Sequence, residues 1–297
     1  MKLLITGVNG FVAGSVLAHA KGKWEIHGIG RSESLANEPE LIYHTLDLLD
    51  DEKFADIFNK IRPDSVIHTA AMANIDTCQK NKEMAERVNV GITKTLVRLC
   101  QESGSKMVFC STDAVFDGTK GDYTESDAPR AVNFYAETKI KAEQSVLSAS
   151  DKNVVARLAL VMGLPVIGKG NSFLADTIGK LEKGIQVPFP VNEIRTPIDV
   201  ITLGSALVEL AGNQFGGIIH LSGCTKINRY QMALEIAKTL GYSSELILSV
   251  DSNAMEGRAP RSNDVSMYNS LARQILKTPM RTLSEGLELT LNFKPAK

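Results

Sequence analysis

Tyr135 and Lys139 stand four residues apart in Tyr-Ala-Glu-Thr-Lys, inside a segment whose apolar spacing predicts a helix. Residues at i and i+4 share one face of a helix, so the phenol and the ammonium project side by side. A nearby ammonium favours phenolate and is expected to draw the tyrosine pKa down from about 10, making Tyr135 a proton donor or acceptor. Such pairs also arise by chance on exposed helices, so this one depends on its company. Upstream, an apolar run ends Phe109-Cys110-Ser111-Thr112-Asp113, followed by Val115-Phe116-Asp117-Gly118. The carboxyl ends of parallel strands are where open α/β sheets bind ligands, which would put the Thr112 hydroxyl in a cleft. The alternative is that Ser-Thr-Asp merely caps a turn.

A third group lies at the N-terminus. Thr6-Gly7-Val8-Asn9-Gly10-Phe11-Val12-Ala13 follows an apolar strand directly and opens a helix. Gly7 allows a tight turn, and Gly10 lets the backbone approach a pyrophosphate held on the N–H groups at the positive helix end. Asn9, Phe11 and Val12 complete this candidate phosphate cradle, and Ala13 takes the small position needed for helix–sheet packing. The spacing is T-G-x-x-G-x-x-A and could equally be an ordinary strand–turn–helix. The second strand ends Gly28-Ile29-Gly30-Arg31, about twenty residues on, where an NAD enzyme usually carries an acid for the ribose 2′-OH. Arg31 instead suits a 2′-phosphate in charge and in paired donors, which points to NADP; the alternative is a solvated surface arginine. Asp47-Leu48 after the third strand is a candidate adenine contact, or an acid leading into a helix.

The elements that must position these groups alternate. Apolar runs at Leu3–Thr6, Glu25–Ile29, Tyr43–Leu46, Ser65–Thr69, Met107–Ser111 and Asn153–Leu158 read as strands. Several are apolar almost throughout, as strands covered on both faces are. Helical spacing falls between them at Asp51–Ile61, Lys80–Glu102 and Asn133–Ser148. This predicts a doubly wound parallel α/β sheet of the Rossmann type with right-handed crossovers. Residues 1–163 form the expected NADP-binding domain. Beyond them Gly163, Pro165, Gly168 and Gly170 punctuate a loop. Helices follow at Ser172–Lys183, Asp199–Leu210, Arg229–Leu240 and Leu283–Leu291, with a strand at Ile218–Leu221. Residues 164–297 read as a smaller mixed α/β substrate region, whose segment at about 195–221 crosses back to the first domain.

Composition excludes several classes. The 297 residues carry 33 basic and 34 acidic side chains, a formal net charge of −1, so no basic field draws nucleic acid or an anionic membrane. Cys78, Cys100, Cys110 and Cys224 form no C-x-x-C pair, and the five histidines show no metal-ligand spacing. No metal is expected, and His68 and His220, in apolar runs, read as buried structural histidines. No run is apolar enough to span a bilayer, and the N-terminus lacks a signal-peptide pattern. The expected setting is the cytoplasm.

Taken together, the Thr6–Ala13 turn, Ser111-Thr112-Asp113 and Tyr135-x-x-x-Lys139 resemble the extended short-chain dehydrogenase/reductases. Ser-Thr-Asp-Ala-Val-Phe-Asp-Gly (111–118), Tyr-Ala-Glu-Thr-Lys (135–139) and Arg157 are most similar to the dTDP-4-dehydrorhamnose reductase branch and its sugar-nucleotide-binding relatives. The branch includes the regulatory β subunit of methionine adenosyltransferase. The resemblance implies hydride transfer from NADPH to a ketone, with Tyr135 protonating the forming alkoxide. It gives Lys139 the roles of tuning Tyr135 and bonding the nicotinamide ribose, and Thr112 that of orienting the carbonyl. Ala70, Ala71 and Ser111 would line the cofactor, and Asn89 would support the site. Asp113, Phe116, Arg195, Arg258 and Arg261 are the candidate contacts for a nucleotide-sugar substrate, and a homodimer is implied. Leu160 stands where the rhamnose reductases carry a tryptophan over the sugar, and Ala114 stands where dehydratases carry a glutamate. Beside the reductase reading stand an epimerase of the same superfamily and a non-catalytic NADP-binding regulatory subunit.

Overall fold

The computed structural model describes residues 1–33, 38–167, 172–254 and 257–294; Gly168 and Gly170 of the punctuated loop lie outside them. Seven parallel strands make the central sheet: β1 (Lys2–Thr6), β2 (Glu25–Gly30), β3 (Leu41–Thr45), β4 (Ser65–His68), β5 (Lys106–Thr112), β6 (Val154–Leu158) and β7 (Gly217–Leu221). Their order is β7-β6-β5-β4-β1-β2-β3. Because chain order reverses on either side of β1 and β4, the crossovers leave to opposite faces and open a crevice at the carboxyl edge there. Register brings Thr6 beside His68 and Thr112 beside Leu158 at that edge.

Two apolar layers sandwich the sheet. On one face α1 (Phe11–Ala20) lies against a helix at Val200–Gly212, and Leu3, Ile5, Val108, Ala156 and Ile219 are buried beneath. On the other, α2 (Asp51–Ile61), α3 (Ile92–Ser103) and α4 (Phe134–Ala149) cover Leu4, Val66, Phe109 and Val155. The doubly wound architecture expected from the alternating pattern is what the chain adopts. Residues 200–221 do return to the sheet, supplying that helix and the edge strand β7.

The remainder is built from small pieces. Two-stranded sheets pair Val187–Pro190 with Ile247–Val250, and Ile194–Arg195 with Ile227–Asn228. Helices α5 (Phe173–Leu181), α6 (Arg229–Leu240) and α7 (Leu283–Asn292) pack around Met162, Leu174, Met232 and Leu287, and around Phe189, Ala237 and Ile247. Ile247–Val250 and a short helix at Ser270–Ile275 occupy a stretch that reads as irregular in the sequence. No helix among the described residues is long and apolar enough to cross a membrane.

The segment expected as one helix over Lys80–Glu102 is divided. A helix at Ile75–Lys80 ends, Lys82–Glu86 restarts, and Arg87–Gly91 runs as a π-helix before α3. The reason is tertiary. Asn89 is buried, its Oδ1 accepting from the Met72 backbone N–H at 2.8 Å and its Nδ2 donating to the Met72 carbonyl at 3.1 Å and to the Thr138 hydroxyl at 3.0 Å. Widening one turn lets this side chain reach the loop after β4 and helix α4 together.

His68 sits at the end of β4 with its ring nitrogens on the hydroxyls of Thr6 (2.6 Å) and Thr93 (3.1 Å). Burial, reinforced by Lys139, pushes its pKa down to about 3. The unfolded chain, with an ordinary histidine pKa near 6.5, takes up a proton that the native state refuses below that pH. Stability from this group is therefore full above about pH 6.5 and falls toward pH 3. Between pH 7 and 5, urea unfolding should show the native protein losing about 2 kcal/mol more than a His68→Gln variant; equal losses would show that His68 is protonated in the fold.

Candidate active site

The turn after β1 takes the shape a phosphate cradle needs. Gly7 has φ +70°, and a Cβ there would lie 2.9 Å from the Ala70 Cα, so only glycine fits. Gly10 is the N-cap of α1, with no side-chain cap and no acidic residue in the first turn. Those N–H groups therefore keep their positive end for an external anion.

The cleft above this turn has a volume of about 450 Å³ and is lined by Gly7, Asn9, Gly10, Arg31, Asp47, Leu48, Ala70 and Ala71 from the expected set. It is also lined by Gly30, Ser32, Leu46 and Leu49, by Met72 from the loop after β4, and by Met84, Val88 and Ile92 from the divided helical segment. Phe11 and Val12 do not line it; Val12 packs toward the core under α1. Asp47 accepts from the Leu49 N–H at 3.1 Å and so shapes the entry to α2 while facing the cleft.

The end of β2 is organised by a residue that sequence reasoning missed. The Tyr43 hydroxyl, from β3, donates to the Ser32 carbonyl at 2.5 Å and accepts from Asn9 Nδ2 at 3.0 Å. Asn9 also reaches the Glu33 carbonyl at 3.0 Å. Tyr43 and Asn9 thereby tie the glycine turn to the loop that carries Arg31. A Cβ on Gly30 would lie 2.2 Å from the Tyr43 oxygen, so a side chain there, an acid included, would have to displace the Tyr43 hydroxyl from its bonds to Ser32 and Asn9. Arg31 is exposed and makes no hydrogen bond or ion pair with a described residue.

At the far end of the edge, Asn133 caps α4 through Ala136 N (3.0 Å), and the helix buries one face of Tyr135, Lys139, Ala142, Glu143 and Val146 against the sheet. Tyr135 and Lys139 share this face, as their i, i+4 spacing predicts. Lys139 Nζ donates to the Cys110 carbonyl at 2.6 Å and lies 4.0 Å over the Phe109 ring. The Thr112 hydroxyl donates to Asp113 Oδ1 at 3.2 Å and accepts from the Ala114 N–H at 3.1 Å, and its dipole favours ionisation of the neighbouring Tyr135 phenol. The expected drop in the Tyr135 pKa is not found. Burial raises it above the ordinary tyrosine value, Asp113 adds to the rise, and the Thr112 hydroxyl only partly opposes it. The Lys139 ammonium is directed at the Cys110 carbonyl, and burial pushes its own pKa down to about 8. Desolvation outweighs the pairing that helix spacing suggested.

Ser111 turns away from the cleft and donates to Glu143 at 2.5 Å. Phe116 is fully buried, stacked on Tyr123 at 4.0 Å and under the Arg157 guanidinium at 5.0 Å, so its ring is core and not a cleft wall. Asp113 is buried beside the reactive groups, with Oδ2 lacking a hydrogen-bond partner and Arg195 Nε at 3.9 Å. Burial raises its pKa, and Arg195 opposes the rise.

Arg195 leads into a cationic cluster. Its guanidinium donates to the carbonyls of Ile194, Ser262 and Asn263 at 2.7–3.1 Å. Around the buried carboxylate of Glu193 lie Arg258 at 3.2 Å, Arg195 at 3.7 Å and Arg229 at 3.9 Å. Glu193 and Arg229 were not legible as site residues, because no motif marks them and short strands distant in sequence bring them together. Arg195 also lies near Asp113, and Arg229 Nε is buried without a hydrogen-bond partner among the described residues. Arg261 is elsewhere: it pairs with Asp76 at 2.9 Å and fastens its segment to the Ile75–Lys80 helix. Leu160 packs against the cluster of Met162 and Leu174.

Residues 1–294 match the family described as the RmlD substrate binding domain. The chain belongs to that family. Among solved structures, a hypothetical dTDP-4-dehydrorhamnose reductase from Sulfolobus tokodaii is 30% identical with a TM-score of 0.85, over 97% of this chain and 99% of that one. A dTDP-4-dehydrorhamnose reductase from Bacillus anthracis, in complex with NADP, shares the fold at 22% identity and a TM-score of 0.86, over 98% and 99% of the two chains. Among curated relatives, the Xenopus laevis methionine adenosyltransferase 2 subunit beta is 26% identical over 88% of this chain and 78% of its own. A probable low-salt glycan biosynthesis reductase of Haloferax volcanii is 26% identical over 84% and 83%. The RmlD family thus joins this chain to reductases of the short-chain dehydrogenase type and to subunits named for another enzyme.

The geometry at Gly30 makes a direct prediction. Gly30→Ala should destabilise the fold by about 1–3 kcal/mol, the usual cost of overpacking. Adding Tyr43→Phe, which removes the clashing oxygen, should restore part of that loss in thermal unfolding. A stable Gly30→Ala protein with Tyr43 intact would show that the β2 end is not held as described.

Proposed function

We propose that this RmlD-family chain is an NADPH-dependent reductase of a keto group on a nucleotide-linked sugar resembling dTDP-4-dehydrorhamnose. The observation that carries the reading is the convergence of Thr112 and Tyr135, with buried Lys139 beside them, at the same sheet edge as the Gly7–Gly10 cradle. Gly30, crowded by the Tyr43 hydroxyl, and the exposed Arg31 suit a cofactor bearing a 2′-phosphate better than they suit a ribose held by an acid. Bound NADPH would supply hydride from its nicotinamide to the carbonyl carbon.

The chain's own groups would do the rest. Tyr135, held protonated by burial, is poised to donate its phenolic proton to the oxygen as negative charge develops there. The Thr112 hydroxyl would orient that oxygen. Lys139 would keep positive charge under the phenol and so favour the phenolate that donation leaves. The unpaired Oδ2 of Asp113 can accept from a sugar hydroxyl, and Arg195 and Arg229 place guanidiniums where a diphosphate could be held. On this reading residues 164–297 serve mainly the substrate. Leu160 gives no aromatic cover, which argues for a ketosugar related to dTDP-4-dehydrorhamnose over that sugar itself.

The test mixes NADPH with a panel of nucleotide-linked 4-ketosugars and follows nicotinamide absorbance. Consumption should fall about 100-fold or more in Tyr135→Phe. Arg31→Ala should lower the NADP-to-NADH-type affinity ratio about tenfold or more; an unchanged ratio would remove Arg31 from the cofactor site. Because Lys139 titrates near pH 8 and is needed charged, kcat should fall with rising pH above about 8, approaching tenfold per unit. The relatives named as subunits of methionine adenosyltransferase support a second reading, a cofactor-binding regulatory partner. Tight NADPH binding with no turnover on any ketosugar would favour it.

A further inference from the structure

Ser111 lies between two residues that each touch the reactive pair. Cys110 gives its carbonyl to Lys139, and the Thr112 hydroxyl stands beside the Tyr135 phenol. The Ser111 side chain points the opposite way, into a buried ionic knot. Its hydroxyl donates to Glu143 Oε1 at 2.5 Å, while Arg157 donates through Nε to Oε1 (3.1 Å) and through Nη2 to Oε2 (2.8 Å). Both charged side chains are nearly inaccessible, at 1% and 3% exposure. Glu143 is one turn beyond Lys139 and two beyond Tyr135 on the buried face of α4, and Arg157 is the register partner of Ser111 on β6.

A buried ion pair is a poor choice for stability alone, since well-packed apolar residues usually serve as well or better. This one joins the three elements that must hold register for chemistry: the end of β5, the face of α4, and β6. Its guanidinium also roofs Phe116, which anchors the turn after Thr112. Building on the reductase reading above, we propose that Glu143, oriented by Arg157, is a positioning residue that grips Ser111 and so sets Thr112 and the Cys110 carbonyl against Tyr135 and Lys139. The carboxylate acts by charge as well. Lys139 is faced by His68 on β4, Cys110 and the Phe109 ring on β5, Cys78 on the Ile75–Lys80 helix, and Glu143 on its own helix. Of these, Glu143 is the full negative charge that opposes burial and helps Lys139 stay an ammonium.

The decisive experiment uses the full chain with a Glu143→Leu/Arg157→Met double variant, which replaces the ion pair by apolar groups and is expected to fold. Glu143→Gln is the second variant, retaining an acceptor for Ser111 without the charge. The Lys139 ammonium is titrated by NMR of lysine labelled at Cε, and NADPH-dependent turnover is measured on the same proteins. In whichever variant gives a cooperative native-like thermal transition, the Lys139 titration should move down by about one pH unit. Its kcat should fall at least tenfold, with KM within threefold. Folded variants that titrate as the native protein does and keep kcat would overturn the proposal and leave the pair a structural strut. If the native protein turns over no ketosugar but the Lys139 titration still moves, the reductase reading fails while the positioning role stands.

Discussion

Lys139 is a charged side chain held under a helix, and its hydrogen bond to the Cys110 carbonyl is what makes that burial tolerable. A single interaction of 2.6 Å between α4 and the carboxyl end of β5 sets the distance between the phenol of Tyr135 and the hydroxyl of Thr112. Other features converge on it. The cap by Asn133 starts α4 at the right residue, Asn89 pulls the π-helical turn against Thr138 on the same helix, and the Glu143–Arg157 pair holds the strand from behind. Burial also decides the chemistry, because it keeps the phenol protonated and the ammonium only moderately basic.

The two halves of the site are linked by topology more than by direct contact. The glycine cradle hangs from β1 and the reactive pair from β5 and α4, with β4 between β1 and β5. His68, at the end of β4, bonds Thr6 on one side and Thr93 on the other, and its ring feels the charge of Lys139. A neutral histidine there lets the glycine turn and the Tyr135–Lys139 pair pack on either side of β4 without a further buried charge between them.

Much of this was legible in the residues themselves. Near-continuous apolar strands alternating with helical spacing specify a parallel sheet, and a parallel sheet puts every strand's carboxyl end on one edge. Thr112, Gly7 and Gly30 therefore had to meet there. What was not legible depends on contacts between distant segments. Tyr43 reads as one more β3 residue until its hydroxyl is found where a Gly30 side chain would be. The helix over 80–102 looks continuous because nothing local reveals that Asn89 must reach Met72. Glu193 and Arg229 lie in short, weakly patterned strands and helix ends, and only folding gathers them with Arg195 and Arg258. The Tyr135 pKa was misjudged because helix spacing shows proximity but not depth.

On the proposed reductase reading, a proton held on buried Tyr135 and a hydride from a nicotinamide would meet at one carbonyl at the carboxyl edge of the sheet. Turnover with NADPH deuterated at the transferred C4 position, analysed by mass spectrometry of the sugar product, addresses it most directly. One deuterium per product, on the new carbinol carbon and resistant to exchange with water, is the predicted result. A reduced product without deuterium, or deuterated NADPH bound and returned unchanged in the presence of every ketosugar offered, would contradict it.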